Sequence, residues 1–416
     1  MDNKRIFLLI VLLLMVAIIS QAQTHNVPDD YESIQLAIDA SDVNDTIILQ
    51  NGIYTENILI DKPITIISLY AQTSDSLDIE NTIIDGGQDG TVVTIINIEE
   101  GDVFIQGIRV INGSGTLYLH PELPDEDDNY FYHGGGFFIQ NVNHVHLMNM
   151  WIEENNFQST NSGGGGLLAD NSQITIANSK IRNNVVKGEG LLGEGAGLWF
   201  FSSNVTITNS QICGNSSNGL GEGQGLYIKN GSLNMESTRI YDNGGANSSG
   251  FHSKNSELYF YLCEFSNNLS VLSGTIYIKD TVNSVNNAVF ESCSFFDNDN
   301  WSGGIISCQN ANISVNDCDF FNNRMGLNGG AINAFESVYS ISNSRVVNNF
   351  SSHGSSQSGV GLLSYLSDGV VDNVDFISNS SINGPNHSLD GGAIKVINSS
   401  LILRNSHLEN NTAYNG

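Results

Sequence analysis

Three lysines follow one another at intervals of 25 residues, and each stands two positions after a residue with a ring. The lysines are Lys229, Lys254 and Lys279. The rings of this column are Trp199, Tyr227, His252 and Tyr277. Ammonium groups pair with carboxylate or sulfate, and aromatic rings stack on the faces of sugars. If the fold brings the seven residues together, they predict a groove that binds an extended, anionic glycan. In the alternative, lysines and rings only cover a sheet, and acidic neighbours neutralise the lysines.

A second group of residues that could do chemistry lies in an insertion, 116–133, which combines acidic and aromatic residues. Its acidic core is the run Asp125, Glu126, Asp127 and Asp128. Carboxylate oxygens are the ligands that Ca²⁺ takes, so one interpretation of the run is a calcium site. The spacing matches neither an EF-hand nor a calcium-binding nonapeptide, and the other interpretation is a solvated acidic loop.

A repeated sequence pattern determines where both groups of residues lie in the fold. From residue 134 onward the chain carries ten copies of one pattern, with a mean period of about 28 residues. The copies begin at Gly134, Gly164, Gly195, Gly223, Gly250, Gly274, Gly303, Gly329, Gly359 and Gly391. Each ends in an asparagine, at Asn155, Asn184, Asn215, Asn243, Asn268, Asn298, Asn323, Asn349, Asn379 and Asn411.

Within each copy the apolar residues alternate with period two, as in Val205 and Ile207. That is the period of a strand, and three short strands joined by Gly and Asn turns describe one coil of a parallel β-helix. Equivalent residues of successive coils should then stack about 4.8 Å apart. We expect the terminal asparagine to adopt the left-handed conformation and to bond the asparagine of the next coil through its amide.

The amino-terminal part of the sequence fits the same β-helix. Residues 1–22 combine Lys4 and Arg5, an apolar run and a small-x-small site, which predicts a signal peptide cleaved after Ala22. The segment 23–45 should cap the first coil with an amphipathic helix over 31–40, because Ile34, Ala37 and Ile38 share one helical face. The β-helix then occupies 46–416. Its last coil carries no polar cap, so we expect either a fragment or a continuing chain.

The net charge and the cysteines limit the classes of function and of site that this sequence can have. The formal net charge is −29, which excludes the broad basic face that a nucleic-acid-binding protein needs. Cys263, Cys293 and Cys318 occupy an inward position where other coils have serine or threonine, which predicts core residues. Their parallel side chains disfavour a disulfide, and no Cys/His spacing matches a zinc site.

Two sets of segments resemble known families. The segments 34–38, 45–47, 52–57 and 62–66 are similar to the amino-terminal signature of pectin-lyase-like right-handed β-helix proteins. The later copies, with Gly-Gly-Ala-Ile, Asn-Ser and Asn-Asn as at 391–411, resemble repeats of polymorphic outer-membrane proteins, which are autotransporter passengers. The first resemblance implies a fold that hosts lyases, hydrolases, esterases and non-catalytic surface proteins.

The resemblance carries over few catalytic residues. The segment 52–56 resembles a Gly-x-Tyr-x-Glu segment of pectin methylesterases, but the catalytic segments of that family have no counterpart. Asp375-Phe376-Ile377 resembles one of those catalytic segments only weakly. The motifs of polygalacturonases and pectate lyases are absent from the sequence as well.

The sequence therefore predicts an all-β protein, a single-stranded right-handed parallel β-helix of about thirteen coils. We expect it to be secreted or displayed at the cell surface, with no transmembrane segment in the mature chain and no implied oligomer. The leading functional prediction is a non-catalytic adhesion or polysaccharide-binding module. The alternative is a polysaccharide-degrading lyase, hydrolase or esterase of the pectin-lyase-like group.

Overall fold

The computed structural model describes residues 22–119, 130–132, 134–218, 221–245, 250–271, 273–281, 286–326, 329–351, 359–381 and 391–413. The body of the predicted signal peptide and the acidic run 125–128 lie outside these residues. In the described part, strands stack in ladders that are parallel except for the antiparallel pair Leu117–Leu119 and Tyr130–Tyr132, and successive coils contribute successive rungs. The predicted parallel β-helix is confirmed.

The largest sheet has 24 strands and takes two segments from most coils, which we call the first and second strands. The first strands are Ile58–Ile60, Leu167–Asp170, Leu198–Phe201, Leu226–Lys229, Phe251–Lys254, Ile276–Lys279, Ile306–Gln309, Ile332–Phe335, Leu362–Tyr365 and Ile394–Ile397. The second strands are Thr24–Val27, Thr46–Leu49, Thr65–Ser68, Gln173–Ala177, Asn204–Thr208, Ser232–Glu236, Glu257–Tyr261, Asn287–Glu291, Asn312–Asn316, Val338–Ser342, Asp368–Asp372 and Ser400–Arg404. In two coils the first and second strands form one continuous strand, Val93–Gln106 and Phe137–Met148.

Two further sheets close each coil. The third strands form a sheet of 13: Gly52–Thr55, Thr82–Asp85, Arg109–Ile111, Trp151–Glu153, Lys180–Arg182, Gln211–Cys213, Arg239–Tyr241, Glu264–Ser266, Ser294–Phe296, Asp319–Phe321, Arg345–Val347, Asp375–Ile377 and His407–Glu409. The fourth strands, which the sequence did not predict, form a sheet of 11: Leu117–Leu119, Tyr130–Tyr132, Asn156–Gly163, Val185–Glu194, Ser216–Ser217, Gly244–Gly245, Leu269–Ser270, Asp299–Asn300, Arg324–Met325, Phe350–Ser351 and Ser380–Ser381. Most have only two residues, too few to show a period.

Inward side chains stack from coil to coil and form one continuous core. Phe265, Phe295 and Phe320 are fully buried, and their rings stack with centroids 5.1 and 4.4 Å apart. Apolar residues at alternate positions put one face of every strand inside, so each coil buries its face against its neighbours.

The ten terminal asparagines form a buried ladder. In all of them but the last, Asn411, the side-chain Nδ2 donates to Oδ1 of the asparagine in the next coil, at 2.9–3.2 Å. The same Nδ2 also reaches a backbone carbonyl, as from Asn184 to Ile152 at 3.0 Å. The predicted amide contact between coils is confirmed, and it satisfies polar groups inside the turn.

The conformational reason predicted for these asparagines is wrong. The left-handed conformation belongs to the residue before each one: Glu154, Asn183, Gly214, Asp242, Asn267, Asp297, Asn322, Asn348, Ser378 and Asn410 all have positive φ. That preceding residue turns the chain, and the buried asparagine bonds between coils. Asparagine is selected here for its amide.

The amino-terminal helix α1 (Ile34–Ala40) buries Ile34, Ala37 and Ile38, as predicted. It packs against the strands Thr24–Val27, Thr46–Leu49 and Ile58–Ile60 and so covers the core of the first coil. Two short helices, α2 (Tyr70–Thr73) and α3 (Ser76–Asn81), lie between the strands Thr65–Ser68 and Thr82–Asp85. Neither was predicted, because four and six residues show no helical period.

Cys263, Cys293 and Cys318 lie in the core with at most 2% of their surface exposed, which confirms their predicted inward direction. All five cysteines are free thiols. Cys263, Cys293 and Cys318 serve as small core residues in the column that serine and threonine fill in other coils.

Candidate functional site

The fold brings the predicted column together. Lys229 pairs in register with Lys254, and Lys254 with Lys279, at the fourth position of three consecutive first strands. At the second position of the same strands, Tyr227 pairs with His252 and His252 with Tyr277. Trp199 precedes them as the partner of Tyr227. The three ammonium groups thus share one ladder, beside a ladder of rings.

The two ladders differ in exposure. Lys279 is exposed, and Lys229 and Lys254 are half-buried. Tyr227 and His252 expose only 3% and 1% of their surface, so the prediction that this ring column faces a ligand is wrong at these two positions. No sugar ring can stack on them.

Segments that link one coil to the next cover the ring column. A Cβ placed on Gly163 would lie 1.7 Å from Cε3 of Trp199, so the indole packs directly on that glycine backbone. A Cβ on Gly223, which has φ +66°, would lie 3.1 Å from the Cβ of His252, so this backbone also packs against the column. These linking segments have no periodic pattern, and alternation alone could not show that they fold over the sheet.

Neighbouring rings of the column contact each other, two pairs edge to face and the pair Tyr227–His252 at a tilt of 56°. The centroids of Tyr227 and His252 lie 5.1 Å apart, and those of His252 and Tyr277 lie 4.9 Å apart. Trp199 meets Tyr227 at 6.2 Å and 72°. This packing makes the buried part of the column structural.

Glu222, which the sequence did not single out, supplies the countercharge. One of its carboxylate oxygens lies 2.8 Å from Nδ1 of His252. Burial alone would raise the pKa of Glu222, but the hydrogen bond and charge of His252 and the charges of Lys279 and Lys254 together lower it. An ionised carboxylate at this place offsets the repulsion between stacked lysines.

The open part of the site lies beyond Lys279, toward the carboxyl end. A groove of about 430 Å³ is lined by Glu222, Tyr277, Ser307, Gln309 and Phe335, among others. The Tyr277 hydroxyl donates to Oε1 of Gln309 at 3.4 Å, a long contact. Carboxylate, amide and hydroxyl groups therefore face the groove together with one aromatic ring.

Phe335 is the exposed aromatic surface of this region. Its side chain is 39% exposed and stacks on Tyr365, with ring centroids 4.4 Å apart. Phe335 stands at the same strand position as the lysines, two coils beyond Lys279. Lysines and exposed aromatic surface thus follow one another along a single ladder.

The motif at 52–56 has a structural role. The Glu56 carboxylate accepts the backbone N–H groups of Ile34 and Gln35, at 2.9 and 3.0 Å, and so caps the amino end of α1. Tyr54 is buried, and its hydroxyl donates to the carbonyl of Gln50 at 2.8 Å. These contacts hold the cap helix on the first coil.

The calcium interpretation of Asp125, Glu126, Asp127 and Asp128 stays a prediction, because the run lies outside the described residues. The weak echo at 375–377 lies in an ordinary third strand whose central Phe376 is fully buried. Phe376 is a core residue.

The ladders define the class: this chain is a parallel β-helix protein. No protein-family model matches it, and no curated protein matches it in sequence. Solved structures with a similar fold include PfbA, a surface adhesin of Streptococcus pneumoniae, at 12% identity and TM-score 0.40, covering 94% of this chain and 93% of that one. The alginate lyase from Paenibacillus sp. str. FPU-7 has 13% identity and TM-score 0.31, covering 75% and 99%.

The Agl-KA catalytic domain matches at 14% identity and TM-score 0.39 over 89% of this chain. This chain spans 62% of that domain's length. Enzymes and an adhesin thus occur among the similar structures, and this distant likeness carries no activity over to the chain. The resemblance to autotransporter repeats stays a prediction from the sequence.

Proposed function

We propose that this chain is a secreted or cell-surface β-helix protein that binds an anionic polysaccharide without cleaving it. One observation carries the proposal: the lysine ladder 229/254/279 continues into an open groove lined by Tyr277, Gln309 and Phe335. Cationic, hydrogen-bonding and aromatic groups thereby follow one line along the axis.

The ladder geometry suits an extended ligand. Neighbouring coils are about 4.8 Å apart, so a chain lying along the axis meets one ammonium group per coil. Exposed Lys279 stands nearest the groove, and Phe335 offers an apolar face at the far side. The ligand's negative charges would compete with Glu222 for the lysines, which favours polyanions over single anions.

Glu222, the carboxylate that lines the groove, does not have the pKa of a general acid for glycosidic cleavage. A general acid for glycosidic cleavage must hold its proton near neutral pH, which requires a raised pKa. Glu222 has a lowered pKa and remains a carboxylate. Its partner His252, a member of the ring column, is only 1% exposed, so its ring offers no surface to a substrate.

The test is a panel of neutral, uronate and sulfated glycans, on which binding and the release of unsaturated or reducing ends are recorded. We expect binding of an anionic glycan, no released product, and loss of affinity in a Lys229/Lys254/Lys279→Ala triple variant. A Lys180/Lys187→Ala variant removes positive charge from the third and fourth strands, away from the lysine ladder, and should bind normally. Equal affinity of both variants would refute the groove, and released product would establish the enzymatic alternative.

The export of the chain is a separate part of the proposal and rests on the predicted signal peptide. Among the residues that the structure describes, no helix has both the length and the apolar character to cross a bilayer. Fractionation of expressing cells tests the location. Recovery of the uncleaved chain in the cytoplasm would contradict it.

A further inference from the structure

Three metal-ligating side chains meet on the outer face of the second strands near the amino-terminal end. His144 and His146 are two residues apart in the strand Phe137–Met148, so both project from the same face. Asp102, in the preceding coil, is the register partner of His144. One ligand atom from each residue lies within 4.8 Å of the other two.

We propose that Asp102, His144 and His146 bind a divalent transition-metal ion such as Zn²⁺. Two imidazole nitrogens and one carboxylate oxygen are a ligand set that such ions prefer, whereas Ca²⁺ and Mg²⁺ take oxygen. Three protein ligands on one face leave the outer coordination positions to water or to a ligand. This site is separate from the lysine ladder and does not depend on the polysaccharide proposal.

The distances suit coordination with small side-chain movements. Metal–ligand bonds of about 2.0–2.2 Å place neighbouring ligand atoms roughly 3–3.5 Å apart. Nε2 of His146 already lies 3.2 Å from Oδ2 of Asp102. The two imidazole centroids are 3.8 Å apart, with a tilt of 32° between the rings.

Neighbouring side chains hold the three ligands in place. Phe104 stacks on His146 with a centroid distance of 4.2 Å and an interplanar angle of 2°. Nδ2 of Asn143 donates to Oδ1 of Asp102 at 3.3 Å. Nε2 of His144 lies 2.8 Å from the hydroxyl oxygen of Thr175 in the next coil, and the other ring nitrogen remains for a metal. Such contacts orient ligands and fix the imidazole tautomer.

The test uses the purified chain without a histidine tag and Co²⁺ as a spectroscopic probe at pH 7.5, followed by displacement with Zn²⁺. We expect visible absorption bands that saturate at one Co²⁺ per chain. The variants His146→Ala and Asp102→Asn should weaken binding more than about 100-fold, beyond what loss of an outer contact costs. Thr175→Val should weaken it by roughly tenfold.

His407→Ala is the matched control. The exposed His407 also lies 2.9 Å from a carboxylate, that of Glu409, but this pair includes no second histidine. It should bind Co²⁺ like the natural chain. Absence of binding below about 1 mM, or equal affinity in the His146 and His407 variants, would overturn the proposal. If His146→Ala fails to fold, His144→Gln takes its place, and unchanged absorption in that variant would equally overturn it.

Discussion

Nδ1 of His252 lies 2.8 Å from a carboxylate oxygen of Glu222, and the charges of Lys279 and Lys254 act on the same carboxylate. His252 lies in the first strand Phe251–Lys254. Glu222 lies in the segment before the first strand of the preceding coil, Leu226–Lys229. The Glu222 carboxylate offsets part of the repulsion between the stacked Lys254 and Lys279. It is also the carboxylate that an anionic ligand would have to displace.

The stability that Glu222 contributes should depend on pH. Its pKa in the folded chain lies below its ordinary value of 4.5, so the stabilisation is complete above pH 4.5 and is lost as the pH falls through the folded value. Glu222→Gln should lower the melting temperature by roughly 1–2 °C at pH 7. The difference from the natural chain should shrink below pH 4.5.

Thermal melts between pH 3.5 and 7 check this prediction. Glu236→Gln, at an exposed position on a second strand, is the control and should melt like the natural chain throughout. A Glu222→Gln difference that grows toward low pH would contradict the assigned sign.

Removing one amide from the asparagine ladder should be costly. The Asn298 side chain donates to the carbonyl of Phe265 and to Asn323, and accepts from the backbone and side chain of Asn268. Asn298→Ala leaves buried partners unsatisfied, and we expect a loss of about 3 kcal/mol in denaturant unfolding. Asn234→Ala, on the exposed face of a second strand, should cost less than about 0.5 kcal/mol. Similar losses in both variants would show that the amide contacts add little.

Phe335 should matter for glycan binding more than for stability. Because its ring is partly exposed, Phe335→Ala should leave the melting temperature nearly unchanged and weaken glycan binding by roughly tenfold, about 1.4 kcal/mol. Phe321→Ala is closely matched: Phe321 is 37% exposed and stacks on Phe296 at 5.0 Å, but on the third strands. Isothermal titration of both variants with the best glycan compares them. Equal affinities would place the binding surface away from Phe335.

Thiol accessibility tests the inward direction of the cysteines. Burial raises the pKa of Cys213 and raises that of Cys308 to about 12, so neither thiol ionises readily at pH 8. In the native chain, Ellman's reagent should react with at most one thiol, that of partly exposed Cys213. Denaturation without reductant should release all five. Cys213→Ser should abolish the native reaction, and fewer than four denatured thiols in that variant would reveal a disulfide.

Much of the fold was readable from the sequence because it repeats. Alternating apolar residues identified the strands, and equal spacing between copies established which residues stack, including the lysines at 229, 254 and 279. The cap helix was visible because Ile34, Ala37 and Ile38 share one helical face. Each of these signals is local or periodic, and short-range geometry translates it directly into structure.

The tertiary structure decided what periodicity does not encode. Linking segments without a pattern cover Tyr227 and His252 and place Glu222 against His252. His144 and His146 show their common face in the sequence, but Asp102 joins them only through the register of two strands separated by an insertion. The sequence by itself therefore determined the coils and their stacked columns. Exposure, countercharge and the third metal ligand depend on long-range packing between segments whose separation along the chain follows no rule.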